Sequence, residues 1–270
     1  MSKALISVND YADTFSNHSD DFLVAVLSDE DFQRGHIIDS VQLSPTALSS
    51  GQKPAPGLLP PLVELEANLE TIGLPSDQSK LISVYDNASG SIAGRFIWTL
   101  ALLGYHNTRM INGGLKAWQA AGLSLTQDAT VMTASNLSLS IDKRFLASKK
   151  DVLASLDETN SLIWDARGED EYSGEKVLAA RGGHIPGAIS HDWILLHGEN
   201  GTIKDLDQIQ FELANKGLTS DKHIITHCQT HRRSGLTWFV ANKLLGYENI
   251  QAYPGSWSEW GNDEALPIEP

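Results

Sequence analysis

The sequence predicts an α/β protein of two similar domains, each a mainly parallel sheet flanked by helices. Three observations carry that expectation. Leu102-Leu103-Gly104-Tyr105 reappears as Leu244-Leu245-Gly246-Tyr247, and the same offset takes Gly113 to Gly255 and Trp118 to Trp260. In each repeat a short apolar strand leads through a polar loop to an apolar helical stretch and then to another short strand, the order that buries a parallel sheet between helices. With 41% hydrophobic residues in a chain of 270, one large or two moderate cores can form.

Taken in order, residues 22–27 read as the opening strand of the first half and lead through Phe32-Gln33-Arg34-Gly35-His36-Ile37. Gly51-Gln52-Lys53-Pro54-Ala55-Pro56-Gly57 reads as an irregular loop with no chemistry of its own. Residues 81–85 form a strand, 91–103 a helix stopped at Gly104, and 108–111 a closing strand. Apolar periodicity then weakens, which places a first domain at 1–127, a linker at 128–137 and a second domain at 138–270. In the second half Leu162-Ile163-Trp164-Asp165 leads through a longer loop to Gly182-Gly183-His184-Ile185-Pro186-Gly187-Ala188. Residues 223–227 and 250–253 are its later strands, with a helix over 234–245 between them. The matched Trp118 and Trp260 point to fold support rather than chemistry.

Thirty-four acidic residues against twenty Lys and Arg give a formal charge of −14, which disfavours nucleic acid and anionic membrane as partners. One cysteine makes no intrachain disulfide and no Cys-rich metal framework. Met1-Ser2-Lys3-Ala4-Leu5-Ile6 lacks the basic region and long apolar run of a signal peptide or membrane span, so a cytoplasmic protein is expected. Two domains packed together make a monomer the expected state.

That cysteine, Cys228, follows the strand candidate and opens the loop Gln229-Thr230-His231-Arg232-Arg233, after which Ser234-Gly235 begin a helix. A strand-to-helix loop gathers unpaired N–H groups, a helix N-terminus and guanidinium groups around one sulfur, which lowers a thiol pKa from about 8.5 and makes a reactive nucleophile. The alternative is a buried thiol acting as a small hydrophobe. Arg233 is the better candidate to fold over the loop, and Arg232 points to its mouth. Gln229 and Thr230 are expected to supply backbone N–H groups, Ser234 to cap the helix, and Gly235 to let the helix approach the sheet. His231 is expected to add positive or hydrogen-bonding character, while His227 ends the strand. Cys228, His227 and His231 lack a tetrahedral ligand pattern, so no metal is expected.

With these residues in view, the chain resembles a tandem-domain rhodanese, a sulfurtransferase, along nearly its whole length. Cys228-Gln229-Thr230-His231-Arg232-Arg233 is similar to the loop of the bacterial thiosulfate-using type, and Gly183-His184-Ile185-Pro186-Gly187-Ala188 resembles another family motif, of which Gly35-His36-Ile37 is a weaker relic. The resemblance implies two rhodanese-like domains and a Cys228 persulfide: thiosulfate delivers its outer sulfur, sulfite leaves, and a small thiophilic acceptor such as cyanide takes the sulfur away. No cofactor beyond that covalent intermediate is implied.

The resemblance also implies that Arg167 lies near the pocket while Asp165 holds its surroundings. Where some relatives carry a substrate-facing arginine before an aromatic residue, this chain has Glu171 before Tyr172, which moves donor recognition toward Arg232 and Arg233. Trp193, Trp238 and Trp257 are candidates to line an apolar side of the pocket and exclude water. The repeat offset sets Asp86 opposite Cys228; a carboxylate forms no persulfide, so the first half is expected to be inactive, with Arg95 within reach of Asp86. Three other readings stay open. They are a 3-mercaptopyruvate sulfurtransferase, a carrier passing persulfide to a sulfur-accepting protein, and a phosphatase, whose similar cradle uses one more residue between cysteine and arginine.

Overall fold

The computed structural model describes residues 4–15 and 21–270; Met1, Ser2 and Lys3 of the expected first domain lie outside them. The first half runs β1 (Leu5–Ile6), α1 (Val8–Phe15), β2 (Phe22–Val26), α2 (Asp29–Arg34), β3 (Val41–Leu43), α3 (Leu62–Thr71), β4 (Ile82–Tyr85), α4 (Ser91–Leu102), β5 (Thr108–Ile111) and α5 (Gly114–Ala120). The second runs α6 (Lys149–Ser155), β6 (Ser161–Asp165), α7 (Glu169–Tyr172), β7 (Ile189–Ser190), α8 (Leu206–Asn215), β8 (His223–His227), α9 (Arg233–Phe239), β9 (Ile250–Ala252) and α10 (Ser256–Trp260).

The sheets are ordered β1-β5-β4-β2-β3 and β7-β6-β8-β9, and every pairing between these strands is parallel. The expected fold class therefore holds, and the halves repeat one topology. A parallel bridge from Leu146 to Ala252 stands where β1 pairs in the first sheet. β2, Phe-Leu-Val-Ala-Val, is buried at every position, as a parallel strand covered on both faces must be. Its side chains alternate between two cores: Val24 and Val26 join one, Leu23 and Ala25 the other.

The larger core crosses from one half to the other. It contains Phe96 and Trp98 of α4 together with Leu236, Trp238 and Phe239 of α9. All 12 residues of α4 are buried, because this helix has its own sheet on one side and α9 on the other. Two glycines let the helices meet at backbone level. A Cβ on Gly94 would come within 2.8 Å of Leu236 Cα, and one on Gly235 within 2.6 Å of both Arg95 N and Arg95 Cα. The close approach expected of Gly235 is therefore made to α4 of the other half, not to its own sheet. The helix expected over 234–245 is divided: α9 passes at Val240–Leu244 into a π turn, closed by the Leu245 N–H donating to Val240 O.

The Gly-His-Ile motifs do the same structural work in both halves. His36 stacks on Phe32 with ring centroids 3.6 Å apart, and His184 stacks on Tyr172 at 3.7 Å. Each histidine exchanges two backbone hydrogen bonds with a distant partner, His36 with Thr126 and His184 with Glu269. After Thr126 the chain is strapped along α3: Leu137 N–H and Leu139 N–H donate to the carboxylates of Glu70 and Glu66. Among the described residues no helix is long and apolar enough to cross a membrane.

Candidate active site

Asp86 and Cys228 occupy the same place in the two halves, just beyond the carboxyl ends of the inner strands β4 and β8, where open α/β sheets bind ligands. The two turns match in backbone. Ser89 and His231, related by the repeat offset, have φ of 55° and 59°, and Gly114 and Ser256 both have φ of 54°. The carbonyls of Asp86 and Cys228 accept from Leu115 N–H and Trp257 N–H, at the starts of α5 and α10.

What fills the turns differs. The Asp86 carboxylate accepts from the backbone N–H groups of Ala88, Gly90, Ile92 and Ala93 at 2.8–3.0 Å. These amides satisfy it, and the expected partner Arg95 turns away, its Nη2 donating to Leu48 O at 2.7 Å. Backbone donors of a preformed turn hold the anion without ordering a long side chain, which is why the first-half loop has no use for that arginine.

Cys228 is 1% exposed. Burial, the largest influence, pushes its thiol up; the charge of Arg233, the Ser234 hydroxyl and the N–H groups of Ser234 and Thr230 outweigh burial and leave the pKa below its ordinary value. Thr230 and Ser234 are the offset counterparts of Ala88 and Ile92, so two of the four donor positions around Asp86 are already directed at sulfur here. Ser234 Oγ lies 3.5 Å from Cys228 Sγ and 2.7 Å from His231 Nδ1. With its proton given to sulfur, the hydroxyl accepts from His231 Nδ1–H, which fixes that tautomer. Ser234 was expected to cap the helix; it sits inside α9 instead, where its hydroxyl is drawn to sulfur, and α9 has no side-chain cap.

His231 supplies hydrogen bonding rather than charge. Complete burial and the nearby Arg95 cation hold its pKa well below the usual histidine range. His227 is also buried, its Nδ1 3.2 Å from Cys228 O and its Nε2 3.6 Å from Asp165 Oδ2. Asp165 and Arg167 form a buried pair below the loop. Arg167 also donates to Gly183 O at 2.8 Å and stands over the Trp257 ring at 4.5 Å. At 1% exposure, Arg167 braces the β6 end of the site, so its expected place near the pocket is one of support.

Arg233 reaches both the sulfur and Glu171. Its Nη2 donates to Glu171 Oε1 at 2.8 Å and its Nη1 to Oε2, and the negative charges of Glu171 and Cys228 overcome burial to raise the guanidinium pKa. The residue that departs from the family pattern thus orients one of the two loop arginines. Arg232 is exposed and faces a cleft of about 650 Å³ between the halves, also lined by Thr230, Arg95, Leu48 and Gly57. Gln229 is anchored by its side chain to Leu178 O.

Of the tryptophans expected to line the pocket, Trp238 is core, its Nε1 donating to Ile250 O, and Trp257 lies beneath Arg167. Trp193 is half-buried, edge-on to His197, and is absent from the cleft lining. The ring that does approach the loop is Trp98 of α4, 4.4 Å from His231. The loop 51–57, read as chemically empty, also reaches the site: a Cβ on Gly57 would lie 2.5 Å from Thr230 O. Neither carried a signal in the sequence, because both act from the opposite half. Among the described residues no group of three or more His, Cys, Asp or Glu side chains is placed to hold a metal ion.

The family model for the rhodanese-like domain matches residues 7–121 and again 148–263. Thiosulfate sulfurtransferases of Azotobacter vinelandii and Pseudomonas aeruginosa are each 40% identical over 247 residues, 92% of this chain and 90% of theirs. The anaerobic ergothioneine biosynthesis enzyme of Chlorobium limicola has a solved structure that aligns with a TM-score of 0.87 at 23% identity, covering 99% of this chain and 70% of its own. That likeness is one of fold.

Proposed function

The chain belongs to the rhodanese family, and on that premise we propose that it is a thiosulfate sulfurtransferase with Cys228 as nucleophile. The observation that carries the reading is a buried sulfur at the head of a strand-to-helix turn, with the Ser234 hydroxyl 3.5 Å away and with Arg233, Ser234 and two backbone N–H groups acting to lower its pKa. Such an environment stores an anionic sulfur.

The thiolate attacks the outer sulfur of thiosulfate. A new S–S bond forms, the bond between outer and sulfonate sulfurs breaks, and its electron pair leaves with sulfite. The terminal sulfur of the resulting persulfide carries the negative charge, against which the donors of Thr230 and Ser234 and the Arg233 cation act as a fixed counter-field. Cyanide, the small thiophilic acceptor, then attacks that sulfur; thiocyanate leaves and the Cys228 thiolate returns. No general base is required once the thiol has ionised, which the Arg233 charge and the Ser234 and Thr230 contacts favour. His231 keeps Ser234 pointed at sulfur, Glu171 keeps Arg233 in place, and Asp165 with Arg167 braces the strand ends beneath the loop. Arg232 and Thr230 form the mouth. Gln229 ties the loop to residue 178, and Trp193 packs on the larger core.

Intact-protein mass after exposure to thiosulfate or 3-mercaptopyruvate tests the proposal. Thiosulfate is expected to add about 32 Da, one sulfur, and the Cys228→Ser protein is expected to add nothing. Persistence of the added mass in that variant would sink the assignment, and loading by mercaptopyruvate alone would replace the donor. The proposal extends to a cytoplasmic monomer, which cell fractionation and light scattering test.

A further inference from the structure

Arg95 belongs to the half without a cysteine, yet it stands at the reactive loop of the other. It is 3% exposed. One of its nitrogens, Nη2, donates to Leu48 O, and its guanidinium lies over the Trp98 ring at 4.8 Å. Its Nε and Nη1 are buried with no hydrogen-bond partner among the described residues. No salt bridge to it is formed by any described carboxylate; the one acid on the cleft lining, Glu64, is exposed on α3.

A buried guanidinium with two empty donors is costly to leave unpaired. Burial lowers its pKa to about 9, so it remains a cation at neutral pH. It faces the same cleft as Arg232 and Thr230, and a chain of contacts joins it to the sulfur. Trp98 beneath it touches His231, His231 bonds Ser234, and Ser234 bonds Cys228. The backbone of Arg95 is pinned by Gly235 at the start of α9, which fixes where the guanidinium can stand. The negative charge of Cys228 acts on Arg95 directly.

Arg233 is divided between Glu171 and the Cys228 sulfur, which leaves the sulfonate end of a dianionic donor to other cations. We propose that Arg95 is a donor-binding residue of the site: with Arg232 on the same cleft lining, its guanidinium N–H groups bind the sulfonate oxygens of thiosulfate, presenting the outer sulfur to Cys228. A planar guanidinium gives an oxyanion several charged N–H donors in fixed directions, which a single ammonium does not. The inference rests on the thiosulfate reading above and deepens it, since the half without a cysteine supplies the cation that selects the substrate.

The test is persulfide loading, followed by intact mass, as a function of donor concentration in the native protein and in Arg95→Gln. Half-saturating thiosulfate is expected to rise about tenfold or more in the variant, the loss typical of a charge-assisted hydrogen bond. Loading by hydrodisulfide, HSS⁻, exchanges HS⁻ for the thiolate and offers no oxygens to grip; it is expected to change less than about twofold. A merely structural role would weaken both donors alike, and that outcome, or an unchanged thiosulfate dependence, overturns the inference. Should Arg95→Gln fail to fold, Arg95→Lys keeps the charge and loses the planar set of donors, and an intermediate rise confined to thiosulfate is expected. If thiosulfate does not load native Cys228 at all, the functional reading has failed; if it does and Arg95→Gln is indifferent, only this inference has.

Discussion

At the scale of residues, the site is a contest between burial and polar contact around one sulfur atom. Burial alone would keep Cys228 protonated and inert; the hydroxyl of Ser234, two N–H groups and Arg233 reverse the sign. Because the thiol pKa is depressed, thiolate is present above that pKa and loading falls as pH drops through it. Ser234→Ala removes the hydroxyl and leaves the N–H groups. Its alkylation and loading profiles are expected to move to higher pH. A profile that coincides with the native one would mean that the 3.5 Å contact carries no weight. Cys228 and its loop were legible in the sequence because the nucleophile, the amides and Arg233 are neighbours along the chain. Arg95 and Trp98 were not legible in that role. They act from the other half, and the offset counterpart of Arg95 is Thr237, so the repeat itself gave no hint of an arginine at the second loop.

At the scale of elements, the crossing of α4 and α9 sets the position of everything above it. The crossing depends on Gly94 and Gly235, whose missing side chains let backbone meet backbone. Gly235→Ala would set a methyl 2.6 Å from Arg95 N and Cα, a clash that no rotamer relieves. The helices must separate, at a cost of about 1–3 kcal/mol. A fall of several degrees in melting temperature is expected, with slower persulfide loading as Arg95 and the Cys228 loop move apart; an unchanged melt would show slack at the crossing. Apolar runs and turn residues made six of the nine strands among the described residues readable to within a residue or two, whereas β1, β3 and β7, each of two or three residues, are too short to show a pattern. The depth of α4 between two layers was readable only as a general apolar character, since its alternatives, a core helix or an interface helix, share one composition. The histidines of the Gly-His-Ile motifs likewise gave no sign that they stack on aromatic rings earlier in the chain and clasp a distant strand of backbone.

At the scale of the whole molecule, the two halves are similar in topology and joined by a core that neither owns. A chain comprising residues 138–270 alone would expose the buried face of α9, including Leu236 and Phe239, together with the glycine that now faces Arg95. We expect that fragment to bind a hydrophobic dye and to lack a cooperative melt, whereas the intact chain unfolds in one transition; a fragment that melts cooperatively and loads sulfur as the full chain does would contradict this. The charge of −14 adds a reason for the union, since a dianion must be drawn in against the field of the molecule, and the cleft between the halves collects arginines from both. Asp86 gives the duplication its last meaning. Its carboxylate fills the first cradle with oxygen acceptors, where under the function proposed the outer sulfur of a Cys228 persulfide would fill the second. One turn is thus present twice, once closed by the chain's own oxygens and once left for a group that the proposed reaction would bring and carry away.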